Sequence, residues 1–183
     1  MPAYPGGIFG NDQIALPQID TRGPQYQSDA TAKNPIGGKI RYNNVIWRYV
    51  KHDKGTGDVT PVKGGPAFGK TVTPAATATA QPVFTVTPDQ TDSVFGQTPV
   101  GAYQCESGSE PADDTYTWIA IGGIVNLVVP AAVEEDTIIG SGTDGQFGRI
   151  AAGSNVTRTQ VGVRQEGASS SGLSPVLLMN MDW

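Results

Sequence analysis

The chain has 183 residues, one cysteine, one histidine and a formal net charge of −5. This length suffices for one domain whose core needs no metal or disulfide, and a single cysteine excludes an internal disulfide. The negative charge argues against nucleic acid as a direct partner, because binding to phosphates depends on clustered lysines and arginines. The N-terminus lacks the pattern of a signal peptide, and the longest apolar stretch, 119–133, is too short and interrupted to cross a membrane. We therefore expect neither export nor a membrane partner.

Charge is distributed unevenly along the chain. Residues 1–70 hold nine of the twelve basic side chains and five acidic ones, whereas residues 71–183 hold three basic and twelve acidic side chains. The basic part of one copy could therefore meet an acidic surface on a neighbour or on a large partner. The alternative is that both parts are solvated faces without a partner.

Residues 1–37 contain five prolines and no apolar period typical of a helix or strand. We predict an extended N-terminal arm rich in proline and glycine. Apolar side chains give this arm anchors that a purely disordered tail lacks, and they are the candidate partner contacts. The anchors are Tyr4, Ile8, Phe9, Ile14, Leu16, Ile19 and Tyr26. The arm lies either on its own domain or on a neighbouring subunit, and the sequence leaves both possibilities open.

Residues 38–183 are predicted to form a single β domain. The β-branched and aromatic stretch 39–51 indicates a strand pair or a bulged strand with a turn at Asn43–Asn44. Alternation then places Val45, Trp47 and Tyr49 on one face, with Trp47 in the core or, alternatively, serving as a platform for a stacked ligand. Residues 52–98 form a long loop-rich insertion in which only 82–87 resembles a strand, and 75–80 is a weak helical candidate.

Between Gly101 and Asn180, short β-branched runs alternate with glycine turns. Runs at 101–104, 116–123, 124–129, 159–164 and 175–179 have the spacing of consecutive antiparallel strands. No stretch of the chain has a convincing helical period. The predicted fold class is therefore all-β, as a compact antiparallel domain resembling a β-barrel or sandwich.

Two glycine-rich motifs match nucleotide-binding patterns without the context that such sites need. Residues 64–71 fit the P-loop pattern, but Lys70 is followed by β-prone residues and a proline instead of a helix. Residues 140–145 fit the dinucleotide pattern, and we interpret 143–145 as a hairpin turn in which Gly145 adopts a positive φ. The acidic run 134–136 is interpreted as a solvated turn, because adjacent side chains on an extended chain diverge. We expect no cofactor and no metal.

A nucleophilic enzyme is also not indicated. His52 follows a strand in a charged loop, where we expect it to be exposed. Cys105 is expected to be a small, half-buried residue at a strand end, and the sequence assigns it no base. We therefore predict no catalytic residues, while a small hydrolase built on Cys105 and His52 remains an alternative.

Three groups of motifs, in this order, resemble the small decoration, or cement, proteins of tailed-bacteriophage capsids. The first is the aromatic strand 48–51 followed by a glycine-rich loop. The second is 99–103 with Tyr-Thr-Trp-Ile-Ala-Ile-Gly-Gly at 116–123. The third is the turn 143–145, then 160–164, then the aliphatic strand 176–179. The resemblance covers residues 38–180. Residues 52–98 are longer than the family pattern, and so is the N-terminal arm.

This resemblance implies a β-tulip-like domain, often a homotrimer, at threefold or quasi-threefold positions on the outer surface of a virion capsid. Such a protein assembles in the bacterial host cytoplasm and stabilises the mature phage capsid by bridging subunits of the major capsid protein. Its partners would be that protein and itself, and it would be non-enzymatic. An alternative is a phage or surface receptor domain that binds glycans, with sugars stacked on Trp47 or Trp118.

Overall fold

The computed structural model describes residues 16–73, 83–94, 98–129, 138–149, 162–164 and 172–178. Several sequence predictions lie outside these residues. They are the arm anchors Tyr4, Ile8, Phe9 and Ile14, the helical candidate 75–80 and the acidic turn 134–136. No helix in the described part of the chain has the length and apolarity needed to span a membrane.

The described chain is built from strands, which confirms the predicted all-β class. The strands are β1 (Lys39–Tyr42), β2 (Val45–His52), β3 (Pro66–Thr73), β4 (Val83–Thr87), β5 (Pro99–Ala102), β6 (Tyr116–Val129), β7 (Ile138–Thr143), β8 (Gln146–Arg149), β9 (Gly162–Arg164) and β10 (Gly172–Leu178). Two short 3₁₀ turns, Pro24–Tyr26 and Gln90–Asp92, are also present.

Five strands pair in a closed ring in the order β2-β4-β3-β5-β6, with β6 pairing back onto β2. This ring is a small barrel, and β1 adds a hairpin to the outer edge of β2. Four of the ring's pairings are antiparallel, as expected, but β2 and β4 run parallel through Lys51–Thr85 and His52–Val86. The parallel contact requires the chain to cross over between the end of β2 and the start of β4.

A second sheet continues from the barrel along β6, in the order β6-β10-β9-β7-β8. All of its pairings are antiparallel, and β8 returns to lie against β6. Its inner side is part of the core, with fully or almost fully buried side chains at Val125, Leu127, Val129, Phe147, Val176 and Leu178. The predicted strands 116–123 and 124–129 are therefore one continuous strand that both sheets share.

The two tight turns predicted from the sequence are confirmed. Asn43 and Asn44 have φ values of 48° and 61°, and Tyr42 pairs with Val45 across them, which is the geometry of a two-residue hairpin loop. Thr143 pairs with Gln146 across Asp144–Gly145, and Gly145 has the predicted positive φ of 72°. The glycine pattern at 140–145 is thus a strand and its hairpin turn.

The described part of the N-terminal segment lies on its own β domain. Asp29 and Tyr116 exchange two backbone hydrogen bonds of 2.8 Å, and the Gly37 amide donates to the carbonyl of Tyr49 at 2.7 Å. The Gln27 side chain accepts a hydrogen bond of 3.0 Å from the indole nitrogen of Trp118. Residues 16–37 therefore cover the face of β2 and β6 that carries Tyr49 and Trp118.

The region 52–98 contains more structure than the sequence indicated. The P-loop-like residues 64–71 lead into strand β3, which pairs with both β4 and β5 inside the barrel. The prediction that only 82–87 forms a strand here was wrong. Strand β3 could not be recognised from the sequence, because it is surrounded by glycines and prolines and has no clear alternation of apolar and polar residues. Its stability comes from pairing with two neighbouring strands.

Candidate interaction surface

The outer side of the second sheet carries exposed apolar side chains. Ile124 on β6 is 59% exposed, and its cross-strand partner Leu177 on β10 is 43% exposed. Further along the same pair of strands, Leu173 is 50% exposed and lies opposite Val128. We call Ile124, Val128, Leu173 and Leu177 the outer apolar face. The two cross-strand pairs are separated by Asn126 and Pro175, and Val128 is partly buried. Exposed apolar side chains grouped on one side of a sheet suit a protein contact surface.

Alternation along β6 creates this face. In the run Ile124 to Val129, the odd-numbered residues point into the core and the even-numbered ones point outward. An antiparallel sheet with one solvated side normally carries polar residues there, but two of the three outward positions are Ile124 and Val128. The sequence therefore places apolar side chains on both sides of the strand. Of the outward ones, Ile124 is largely exposed, while Val128 is partly buried beside Gly64.

A groove of about 430 Å³ adjoins this face at the junction of the β1–β2 hairpin and β6. Its lining includes Tyr42, Val45, Trp47, Lys63, Gln104 and Ile124. Ile124 belongs to both the groove and the outer apolar face, so the two form one continuous surface. On the rim, the Lys63 ammonium bonds to Glu106 at 2.5 Å. Gln104 donates to the carbonyl of Asn126 at 3.0 Å.

A second cavity of about 390 Å³ lies within the N-terminal segment, lined by residues between Gln18 and Lys33. Its charged groups are paired with each other. Arg22 bonds to Asp20 at 3.1 Å and its guanidinium lies 4.6 Å from the centre of the Tyr26 ring. Lys33 bonds to Asp29 at 2.7 Å. These contacts tie the segment together.

The carboxylate of Asp29 is the hub that fastens this segment to the barrel. Burial raises its pKa, but hydrogen bonds from Gln27, Lys33 and Tyr49 outweigh that effect and hold the pKa below its usual value. The Tyr49 hydroxyl donates to Asp29 at 2.8 Å. Burial and this carboxylate both raise the pKa of Tyr49, so the hydroxyl keeps its proton. The network has a structural role in holding residues 18–34 on β2.

The structure places the three described arm anchors differently. Leu16 is 85% exposed, while Ile19 and Tyr26 are partly buried and line the cavity of the N-terminal segment. Ile19 and Tyr26 thus contact their own chain, and Leu16 projects from it. The remaining anchors, Tyr4, Ile8, Phe9 and Ile14, precede Leu16 and lie outside the described residues.

His52 is not the exposed loop residue that we expected. It ends β2, is fully buried, and its Nδ1 lies 3.0 Å from the hydroxyl oxygen of Tyr103. Burial lowers its pKa to about 4, so the imidazole is neutral near pH 7. His52 is buried because it pairs in parallel with Val86 on β4, and the sequence pattern did not reveal this pairing.

Cys105 is buried more fully than expected, at 5% exposed, shortly after β5. Its sulfur faces the carbonyl oxygen of Pro61 at 3.9 Å, and burial raises its pKa to about 12. His52 has a different partner, Tyr103. The two residues of the hydrolase alternative are therefore not arranged as a nucleophile and its base.

Lys70, the lysine of the P-loop-like pattern, forms ion pairs with two acidic side chains of its own chain. It lies in β3, and its ammonium is 2.8 Å from Asp53 and 3.2 Å from Asp92. The hydrogen bond to Asp53 raises the pKa of this lysine. Within the described ranges, no group of three histidine, cysteine or acidic side chains could hold a metal ion.

Both tryptophans proposed as sugar platforms are core residues. Trp47 is 5% exposed and Trp118 is 3% exposed, and the Trp118 ring centre lies 4.9 Å from that of Tyr49. The core prediction for Trp47 is confirmed. Stacking of a sugar needs an open aromatic face, which neither ring offers.

No protein-family model matches the chain, and no curated protein matches it. Among solved structures, the chain is similar to the head fiber gp8.5 N base of bacteriophage phi29. The TM-score is 0.43 at 9% sequence identity, and the alignment covers 74% of this chain and 95% of that chain.

Proposed function

We propose that the chain is a non-enzymatic structural protein of a phage virion. In this proposal it decorates the outer surface of the mature capsid and stabilises it by bridging subunits of the major capsid protein, as a trimer at threefold or quasi-threefold positions. The observation that carries the proposal is the outer apolar face of β6 and β10, which runs into the groove at Ile124. Such a surface suits protein contact.

The fold adds support to the resemblance seen in the sequence. Two of its motifs lie on the strands of the proposed contact region, Trp118 on β6 and 176–178 on β10, while Asp144–Gly145 turns β7 into β8 beside them. The resemblance to decoration proteins suggests the major capsid protein as the partner, and the outer apolar face is the surface proposed to contact it.

The stabilising mechanism follows from multivalent binding. A domain that contacts several coat subunits binds well only where these subunits are in register, because each further contact on the same particle benefits from a high effective concentration. Binding to the assembled lattice alone then shifts the equilibrium toward that lattice by mass action. The exposed Leu16 and the anchors before it, Tyr4, Ile8, Phe9 and Ile14, are proposed to add contacts to a neighbour.

The test is to mix the purified chain with undecorated mature capsids and with procapsids, and to measure the bound copies after sedimentation. We expect near-stoichiometric binding to mature capsids. Failure to bind either particle would contradict the proposal. Ile124→Lys should weaken binding about 10- to 100-fold per site, because it removes roughly 1.5–3 kcal/mol of apolar burial and places a charge in the contact.

Val94→Lys is the matched control for this variant. Val94 is as exposed as Ile124, at 60%, but it does not line the groove or lie on β6 or β10. The same gain of charge there should leave capsid binding unchanged. If both variants bind equally well, the outer apolar face is not the contact.

A further inference from the structure

Strand β1 is an edge strand in the described part of the chain. It pairs with β2 on one side, and no described strand pairs with its other side. The Tyr49 amide on β2 donates to the carbonyl of Gly38, just before β1, at 2.9 Å. Because backbone groups alternate in direction along an antiparallel strand, the amides and carbonyls of Lys39 and Arg41 point away from β2. Such an edge is a template for a further strand.

The two faces of β1 differ in chemistry. Lys39 and Arg41 are exposed, whereas Ile40 and Tyr42 are partly buried and pack against the hydrophobic core. A strand added beside β1 would place a side chain directly next to each of these residues. Acidic side chains suit the positions next to Lys39 and Arg41. Apolar side chains on the other face would cover the parts of Ile40 and Tyr42 that remain in water.

The charge of this part of the chain selects between possible partners. Residues 30–52 contain five lysines and arginines and no acidic residue. If the β1 strands of two copies paired, Lys39 and Arg41 of one copy would lie beside the same cations of the other, and like charges at neighbouring strand positions are destabilising. An acidic strand would meet opposite charges instead. Charge complementarity therefore favours an acidic partner segment over a second copy of β1.

We propose that β1 accepts an antiparallel strand from a partner protein, namely an extended segment in which acidic residues alternate with apolar ones. Main-chain hydrogen bonds to Lys39 and Arg41 provide affinity, and the side chains beside them provide specificity. The β1–β2 hairpin is already held by its Asn43–Asn44 turn, so binding orders mainly the incoming segment. The inference does not depend on the capsid role, and its test needs no capsids.

The probe is a capped peptide, Thr-Glu-Val-Glu-Val-Glu-Thr, titrated into the isotope-labelled full-length chain while backbone amide signals are followed by NMR. We expect saturable shifts of the β1 amides. The same peptide with lysine in place of glutamate should bind at least about threefold more weakly, because attraction to Lys39 and Arg41 becomes repulsion. Methyl groups on the glutamate nitrogens should abolish binding, since these amides face β1. Methyl groups on the valine nitrogens are the matched control, because these amides point away.

Two protein variants locate the binding site. Arg41→Glu should weaken binding of the acidic peptide about three- to tenfold. Lys54→Glu makes the same change of charge in the loop after β2 and should leave binding unchanged. Circular dichroism of each variant confirms that it is folded. The proposal is overturned by no saturable shift of the β1 amides at millimolar peptide, by equal affinity for the two methylated peptides, or by equal affinity of the two variants. Shifts of these amides caused by raising the protein concentration alone would assign the edge to a second copy and would also overturn it.

Discussion

Replacing Gly123 with alanine should destabilise the fold through one identifiable clash. Gly123 lies where β6 passes from the barrel into the second sheet, with φ at +96°. A Cβ there would meet the carbonyl oxygen of Asn44 and would lie 3.1 Å from the Cα of Val45. Both are backbone atoms of the β1–β2 turn, so no side-chain rotation relieves the contact.

The expected loss is about 2–5 kcal/mol in the free energy of unfolding. Of this, roughly 1–2 kcal/mol is the strain of an L-residue at positive φ. The rest, about 1–3 kcal/mol, is the cost of moving packed backbone to admit a methyl group. The assay is urea unfolding at neutral pH, followed by circular dichroism. The slope of the unfolding free energy against urea concentration should stay unchanged, which shows that the variant alters stability and not the surface exposed on unfolding.

Gly108→Ala is the matched control for Gly123→Ala. Gly108 also has a positive φ, +79°, but a Cβ there would meet no atom within 4 Å. This variant carries the strain alone and should lose about 1–2 kcal/mol. Equal losses for the two variants would refute the argument that close approach of the β1–β2 turn demands glycine at position 123.

Three further predictions concern buried polar groups. Folding lowers the pKa of His52 from 6.5 to about 4, so the unfolded chain binds a proton in this range while the folded protein does not. The free energy of unfolding should therefore drop by about 3 kcal/mol as the pH is lowered from 6.5 to 4. Urea unfolding across this pH range measures the drop, and the contribution of His52 should be absent in His52→Gln. The Cys105 thiol, with its pKa raised to about 12, should resist a disulfide reagent at pH 8 in the folded protein and react fully in denaturant. Tyr49→Phe should cost roughly 1.5–3 kcal/mol, because the Asp29 carboxylate loses a buried hydrogen bond; thermal unfolding that matches the wild type would contradict this.

Features set by neighbouring residues could be predicted from the sequence. The Asn43–Asn44 and Asp144–Gly145 turns depend on residue types that tolerate a positive φ, so the local pattern was enough. The core position of Trp47 followed from alternation on β2. The all-β class followed from the same local signals, because no helical period competed with them.

Features set by distant pairings could not be predicted in this way. The burial of His52 depends on its parallel pairing with β4, which begins more than 30 residues later. Strand β3 carries the glycine and lysine of a phosphate-binding pattern, and only the flanking β4 and β5 make it a strand. The outer apolar face went unrecognised because 124–129 has the character of one apolar run. Alternation along 124–129 already places Ile124 and Val128 on the side opposite the core residues, so this pattern could have predicted an apolar outer face.

The sharing of β6 between the barrel and the second sheet has a mechanical consequence. Fourteen residues of one strand, a length of about 45 Å, pass through both parts without a linker. A force applied at β10 would enter β6 through the hydrogen bonds between these two strands. It would then pass along β6 through covalent bonds and reach β2 through a second row of hydrogen bonds. The two parts should yield as one unit under load, and β6 would act as a stiff strut between whatever the two ends of the molecule contact.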